Sequence, residues 1–142
     1  MGLWAAHPAS AELALDPSCT WNEGQAESCS HLVGCIAGET AFVGRDMGWD
    51  TGTLDGTLAD GTSCTGTWDS FQGAAQFECE NGLSGQVVYW FQDEVTGTSL
   101  GSGATAEGRP IETWSGPYLA DYASAEFGRP VLQCGATTIP LN

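Results

Sequence analysis

The chain has 142 residues, with 18 acidic side chains against three arginines and no lysine, for a formal net charge of -15. That balance argues against nucleic acid and anionic membrane surfaces as partners, because both are bound through Lys and Arg that replace condensed counterions. At 42% hydrophobic the chain can fill one core of ordinary domain size, so it is no disordered acidic tail, and no stretch approaches the ~20 apolar residues of a membrane span.

Residues 1–11, MGLWAAHPASA, end in Ala9-Ser10-Ala11 before Glu12. This small-residue pattern reads as the remnant of an export leader, or as a retained N-terminal arm. Residues 12–142 then form a single β-rich domain in three parts. The stretch 12–45 is an irregular Cys-rich segment carrying Cys19, Cys29 and Cys35, with a short helix expected over 25–36 and stopped by Gly38. Six cysteines in a small chain with 20 glycines predict a disulfide framework, and so a secreted or periplasmic protein.

From 50 to 116 the pattern changes to Gly, Thr and Trp with period-two alternation, the mark of strands joined by tight turns. The strands 62–68 and 74–80 can be placed in register: Cys64 faces Cys79, Gly66 faces Phe77, and Trp68 faces Ala75. Paired strand residues lie ~4.5–5.5 Å apart at Cα, within the ~4.4–6.8 Å that a disulfide accepts, so Cys64 and Cys79 should bond. Trp68 and Phe77 share that face, and Thr65, Thr67, Gln76 and Glu78 take the wet one. Before this hairpin, a three-residue loop 59–61 with Gly61 in the left-handed region sets Leu54 and Leu58 beside Cys64 and Gly66. Burial of two leucines, ~1.5–3 kcal/mol each, decides for it over a two-residue loop.

After it, Asn81-Gly82 is a strong hairpin turn leading into SGQVVYWF (84–91). There Val87, Tyr89 and Phe91 should point one way and Val88 and Trp90 the other, which suggests a central strand or one covered by a terminal segment. Residues 93–97 turn the chain again, and Glu107-Gly108 closes a hairpin between 99–106 and 109–115. In the C-terminal segment 117–142, a short helix over 117–127 should end at Gly128, with an extended stretch over 131–134. Cys134 should pin this tail to Cys19, Cys29 or Cys35, closing a long loop. The expected fold is mainly β with little helix: an antiparallel meander of about five strands, or a small barrel or sandwich of stacked hairpins, stapled by disulfides.

The turns Asp60-Gly61, Asn81-Gly82 and Glu107-Gly108 recur at spacings of 21 and 26 residues, and GTLADGTSCTGTW (56–68) is echoed by GATAEGRPIETW (103–114). The string D-G-x-x-C-x-G-x-W from Asp60 to Trp68 resembles the MORN repeat, D-G-x-x-Y-x-G-x-W, with Cys64 in the place of its aromatic residue. The resemblance covers 50–116 and implies hairpins in series with a scaffold or lipid-associated role.

Catalytic constellations are sparse. His31 is the only histidine beyond the leader-like segment, which holds His7, and no G-x-S-x-G, H-E-x-x-H or phosphate-loop motif occurs. The carboxylate pairs Asp46/Asp50, Asp93/Glu94 and Glu107/Glu112 are the obvious places for a two-carboxylate glycosidase. Asp46, Asp50, Asp55 and Asp60 in a Gly/Thr setting could hold calcium, although their spacing is not that of an EF-hand. Trp68 reads as core, whereas Tyr89, Trp90 and Trp114 are free to serve a ligand or partner. Together these features predict a non-catalytic interaction or structural module, an accessory subunit of a larger envelope or extracellular assembly, its protein partner presenting a basic surface. A carbohydrate-binding module and an acidic inhibitor of a basic secreted enzyme are the alternatives. A saline habitat would explain the charge equally well.

Overall fold

The structure, a computed structural model, describes residues 13–142. Eight strands follow one another up and down: β1 (Cys29–Ile36), β2 (Thr40–Trp49), β3 (Thr51–Leu58), β4 (Ser63–Asp69), β5 (Ala74–Cys79), β6 (Ser84–Gln92), β7 (Ser99–Thr105) and β8 (Pro110–Gly116). Each pairs antiparallel with the next, and β8 pairs with β1, so the sheet closes into a barrel. A short helix α1 (Leu119–Phe127) and a hairpin of β9 (Val131–Cys134) and β10 (Thr137–Pro140) follow. The leader-like reading of 1–11 lies outside the described residues.

Closure explains where the side chains go. Along each strand alternate residues face the interior. Leu32, Ile36, Phe42, Leu54, Leu58, Ala75, Val87 and Ile111 fill it, with the Cys64–Cys79 disulfide at one end and Trp68, Phe77 and Tyr89 packed against them. The hairpin registers are those expected: Cys64 opposite Cys79, Gly66 opposite Phe77, Trp68 opposite Ala75 and Leu54 opposite Gly66. Gly61 sits at φ +90°, as the three-residue loop requires.

A second core lies outside the barrel. Val33, Cys35, Ala41 and Val43 on β1 and β2 are covered by Leu119 and Ala123 of α1 and by Leu132, Ile139 and Leu141, with Leu13, Leu15 and Trp114 at its margin. Cys35–Cys134 fastens this cover to the barrel wall, and Cys19–Cys29 ties the N-terminal segment to the start of β1. Three disulfides fit an oxidising compartment. Among the described residues no helix is long and apolar enough to cross a membrane.

Four expectations are corrected. Residues 29–36 form a strand, not a helix, and 12–45 is not irregular, since β1 and all but the end of β2 fall inside it. The second core is the reason: from Leu32 to Ile36 both faces of β1 are buried, so this stretch is a continuous apolar run without the two-residue alternation that betrays a strand. The meander accordingly has eight strands rather than five and starts before residue 50. β6 is a central strand, paired with β5 and β7, but Val88 and Trp90 are exposed, so no terminal segment covers it. Phe91 leaves the row of Val87 and Tyr89, because a β-bulge at Trp90 shifts the register and sets Phe91 opposite Leu100. The C-terminal helix and extended stretch form where expected, with Gly128 left-handed at φ +80° as the helix cap.

Candidate functional site

The two ends of the barrel differ. One is shut by tight hairpins at Gly38, Gly61, Gly82 and Gly108 over Leu58, Leu83 and the Cys64–Cys79 bond. At the other end the inward positions turn polar and small: Ser30, Asp46, Gly48, Gly52, Ser99 and Ser115. This end opens into a cavity of about 740 Å³ walled by Trp21, Trp49, Trp68, Tyr89, Trp90, Phe91 and Tyr118. Such a volume lies within the range of small-molecule sites, roughly 300–1,000 Å³. Another hollow of about 740 Å³ runs over the outer faces of β4 to β7, between Thr65, Gln76, Glu78 and Gln86, and among the described residues gathers only one aromatic ring, that of Phe77.

Each wall has a local cause. The bulge at Trp90 places Trp90 and Phe91 on the rim, where bulges commonly re-aim side chains. Trp49, at the end of β2, packs on Trp21 with ring centroids 5.6 Å apart and planes tilted by 44°. Trp90 and Phe91 are tilted by the same 44°, at 6.0 Å. Trp68 is fixed by its indole N–H, which donates to the Thr53 carbonyl at 3.1 Å. Tyr89 forms the floor: it lines the cavity above and an apolar internal void of about 30 Å³ below.

Asp46 is the unusual group. It is 7% exposed on the inner face of β2, opposite Ser30, and the Ser115 hydroxyl donates to its Oδ2. Its Oδ1 is buried with no partner. Burial pushes its pKa up to about 7; the Ser115 hydrogen bond opposes this and the charge of Asp55 adds to it. Tyr89 is likewise raised, first by burial and then by the neighbouring Asp46. Among the described residues no arginine or histidine lines the cavity.

The sequence-derived candidates separate. Tyr89 and Trp90 meet at the mouth, but Trp114 points outward from β8 into the second core, so the three do not form one platform. The four aspartates do not converge. Asp46 is inside, and Asp50 is exposed in the β2–β3 turn at φ +64°. Asp55 is on the outer wall, hydrogen-bonded to Arg45 at 3.0 Å, and Asp60 caps a turn at the far end by accepting the Thr62 N–H at 2.9 Å. Among the described residues no group of three or more His, Cys, Asp or Glu is placed to hold a metal. His31 is half-buried on the outer side of β1, its Nδ1 without a partner, and burial lowers its pKa. Trp21, Trp49, Phe91, Tyr118 and Ser115 were not foreseen as site residues. The alternation Phe42, Gly44, Asp46, Gly48 in β2 carries the signal that Asp46 points inward.

No protein-family model, no curated protein and no solved structure matches the chain. The likeness of 50–116 to the MORN repeat therefore rests on its short string alone.

Proposed function

We propose that the protein is an exported, non-catalytic binding module that takes a small organic ligand in the aromatic mouth of its barrel. The observation that carries this reading is the convergence of Trp49, Trp68, Tyr89 and Trp90 around a cavity of about 740 Å³ with one buried, half-satisfied carboxyl group, Asp46, among its walls. An eight-stranded barrel is just wide enough for side chains to fill it or for one small ligand; here side chains fill the interior and leave space at one mouth. Pockets of this kind are mostly apolar, with a few polar groups to fix orientation. Export is supported by the three disulfides.

The test is a thermal-shift and tryptophan-fluorescence screen of a broad small-molecule library. A ligand should raise the melting temperature and change tryptophan emission, and Trp90→Ala should weaken it without changing the melting temperature of the free protein. A library in which nothing binds, or a ligand insensitive to Trp49, Trp68 and Trp90, removes this reading. Asp46 and Asp50 share the mouth, and a carboxyl held protonated near neutrality also suits a glycosidase acid. Turnover of chromogenic aryl glycosides that disappears in Asp46→Asn would overturn the non-catalytic part.

A second reading, an accessory subunit docked on a protein partner, is favoured by the rim. Val95 is 91% exposed and Trp90 63%, with Phe91 and Tyr118 beside them. An apolar rim of this kind is a common mark of a protein interface. A carbohydrate stacked on a flat platform is less favoured, because the Trp90–Phe91 and Trp21–Trp49 pairs are tilted. Inhibition of a basic enzyme is supported by the charge of -15 and the disulfides alone.

A further inference from the structure

We propose that the ligand of the mouth is a cationic organic amine, its charged nitrogen seated against Asp46 and its carbon skeleton against the tryptophans. This rests on the reading of the mouth as a binding site and names the class of molecule it takes.

Three observations converge. Asp46 is nine-tenths buried and only its Oδ2 is engaged, by Ser115; Oδ1 has no donor although it belongs to a residue lining the cavity. A buried acceptor without a donor is costly, and an ammonium N–H supplies the donor and the opposite charge at once. The walls are aromatic faces set at angles to one another, including Trp49 with Trp21 and Trp90 with Phe91. Tilted rings around a hollow present several π-faces to one cation, and Trp is the strongest such partner. Finally, no arginine or histidine among the described residues lines the mouth, Asp50 stands on its rim in the β2–β3 turn, and the whole chain carries -15. That field draws cations and repels anions.

The groups facing Asp46 are few. Tyr89 on β6 is the titratable group on the inner side, itself raised by Asp46, and Asp55 on the outer wall of β3 adds its charge; β1 presents Ser30, β7 Ser99 and β8 Ser115, none of which titrates in this range. Burial holds the carboxyl largely neutral below neutrality, so an ammonium ion binding there must displace the carboxyl's proton to solvent. Affinity for the amine should therefore rise with pH by up to about tenfold per unit below 7 and then level off.

Isothermal titration calorimetry with 2-phenylethylammonium, the isosteric neutral 2-phenylethanol and anionic 3-phenylpropanoate tests this at pH 5 and pH 8. At pH 8 the ammonium should bind at least about tenfold more tightly than the alcohol, as a desolvated cation–π and ion-pair contact warrants, with the anion weakest. At pH 5 the advantage should shrink, and in buffers of different ionisation enthalpy the ammonium should release close to one proton. Asp46→Asn should bring the ammonium down to the alcohol's affinity; if that variant does not fold, proton release by the wild-type protein decides. Equal binding of ammonium and alcohol without proton release overturns the cationic ligand and leaves the mouth as a neutral-ligand site. Failure of all three probes to bind overturns the mouth itself.

Discussion

Ser115 on β8 hydrogen-bonds Asp46 on β2 across the inner face of β1, the strand that lies between them. Two non-adjacent staves of the barrel are thereby joined by polar side chains where a core would ordinarily be apolar. The same carboxyl keeps its other oxygen unpartnered. A fold built for stability alone gains nothing from such a group, which burial makes unfavourable.

That cost should appear in the pH dependence of stability. The carboxyl takes up its proton at about 7 when folded, against 3.8 for the unperturbed group. Between these values the folded state binds more protons than the unfolded one, so stability falls as pH rises through this window and levels off above it. Asp46→Asn cannot ionise. It should be more stable than the wild type at pH 8, by on the order of a few kcal/mol, with the gap closing towards pH 4. Chemical denaturation at the two pH values measures it, and an equal gap at both would place the cost elsewhere.

Ser115→Ala removes the hydrogen bond that draws the Asp46 pKa down. The midpoint of Asp46, followed by carboxyl ¹³C NMR, should move upward. A midpoint unmoved or lowered would mean that Ser115 does not hold the ionised form.

Gly101, on the inner face of β7, leaves room for the floor of the mouth. A Cβ there would lie 2.4 Å from the Thr113 hydroxyl and 3.2 Å from the Tyr89 ring. Gly101→Ala should cost about 1–3 kcal/mol, as overpacking does, and should tilt Tyr89 so that any ligand of the mouth binds more weakly. Ligand affinity in this variant, compared with Gly108→Ala at the far end of the barrel, separates the local effect from general loss of stability.

The disulfides should rank by the loops they close. Cys35–Cys134 spans 99 residues and Cys64–Cys79 only 15. In the chain-entropy account these are worth about 4.7 and about 3 kcal/mol. Replacing the Cys35 and Cys134 pair by Ala should lower the melting temperature more than replacing Cys64 and Cys79, and should expose the outer wall of β1 to hydrogen exchange. The reverse ranking would show that packing, not loop closure, dominates.

The hairpins of the middle third were legible because each has one wet and one dry face: Thr65, Thr67, Gln76 and Glu78 against Trp68 and Phe77. β1 was not, because its outer residues Val33 and Cys35 are covered by a segment nearly a hundred residues further on, a burial that no local pattern announces. Missing β1 and β2 hid the closure of the barrel and with it the inward position of Asp46. Trp90 was recognised as a free aromatic residue, yet its bulge was invisible, since nothing in VVYWF marks where the pairing slips. Trp114 was misassigned for the same reason as β1: its fate depends on the C-terminal cover.

The seam between β1 and β8 has a consequence for biogenesis. Residues 31–36 find their partners only at 111–116, so a nascent chain carries two open sheet edges until nearly all of the barrel has emerged. Open edges invite pairing with other chains, and a contact so distant in sequence forms slowly. The Cys35–Cys134 bond lies on the outer wall beside this seam and draws in a segment made later still. Because Cys134 follows β8 in the chain, this bond can form only after every stave of the barrel has been made.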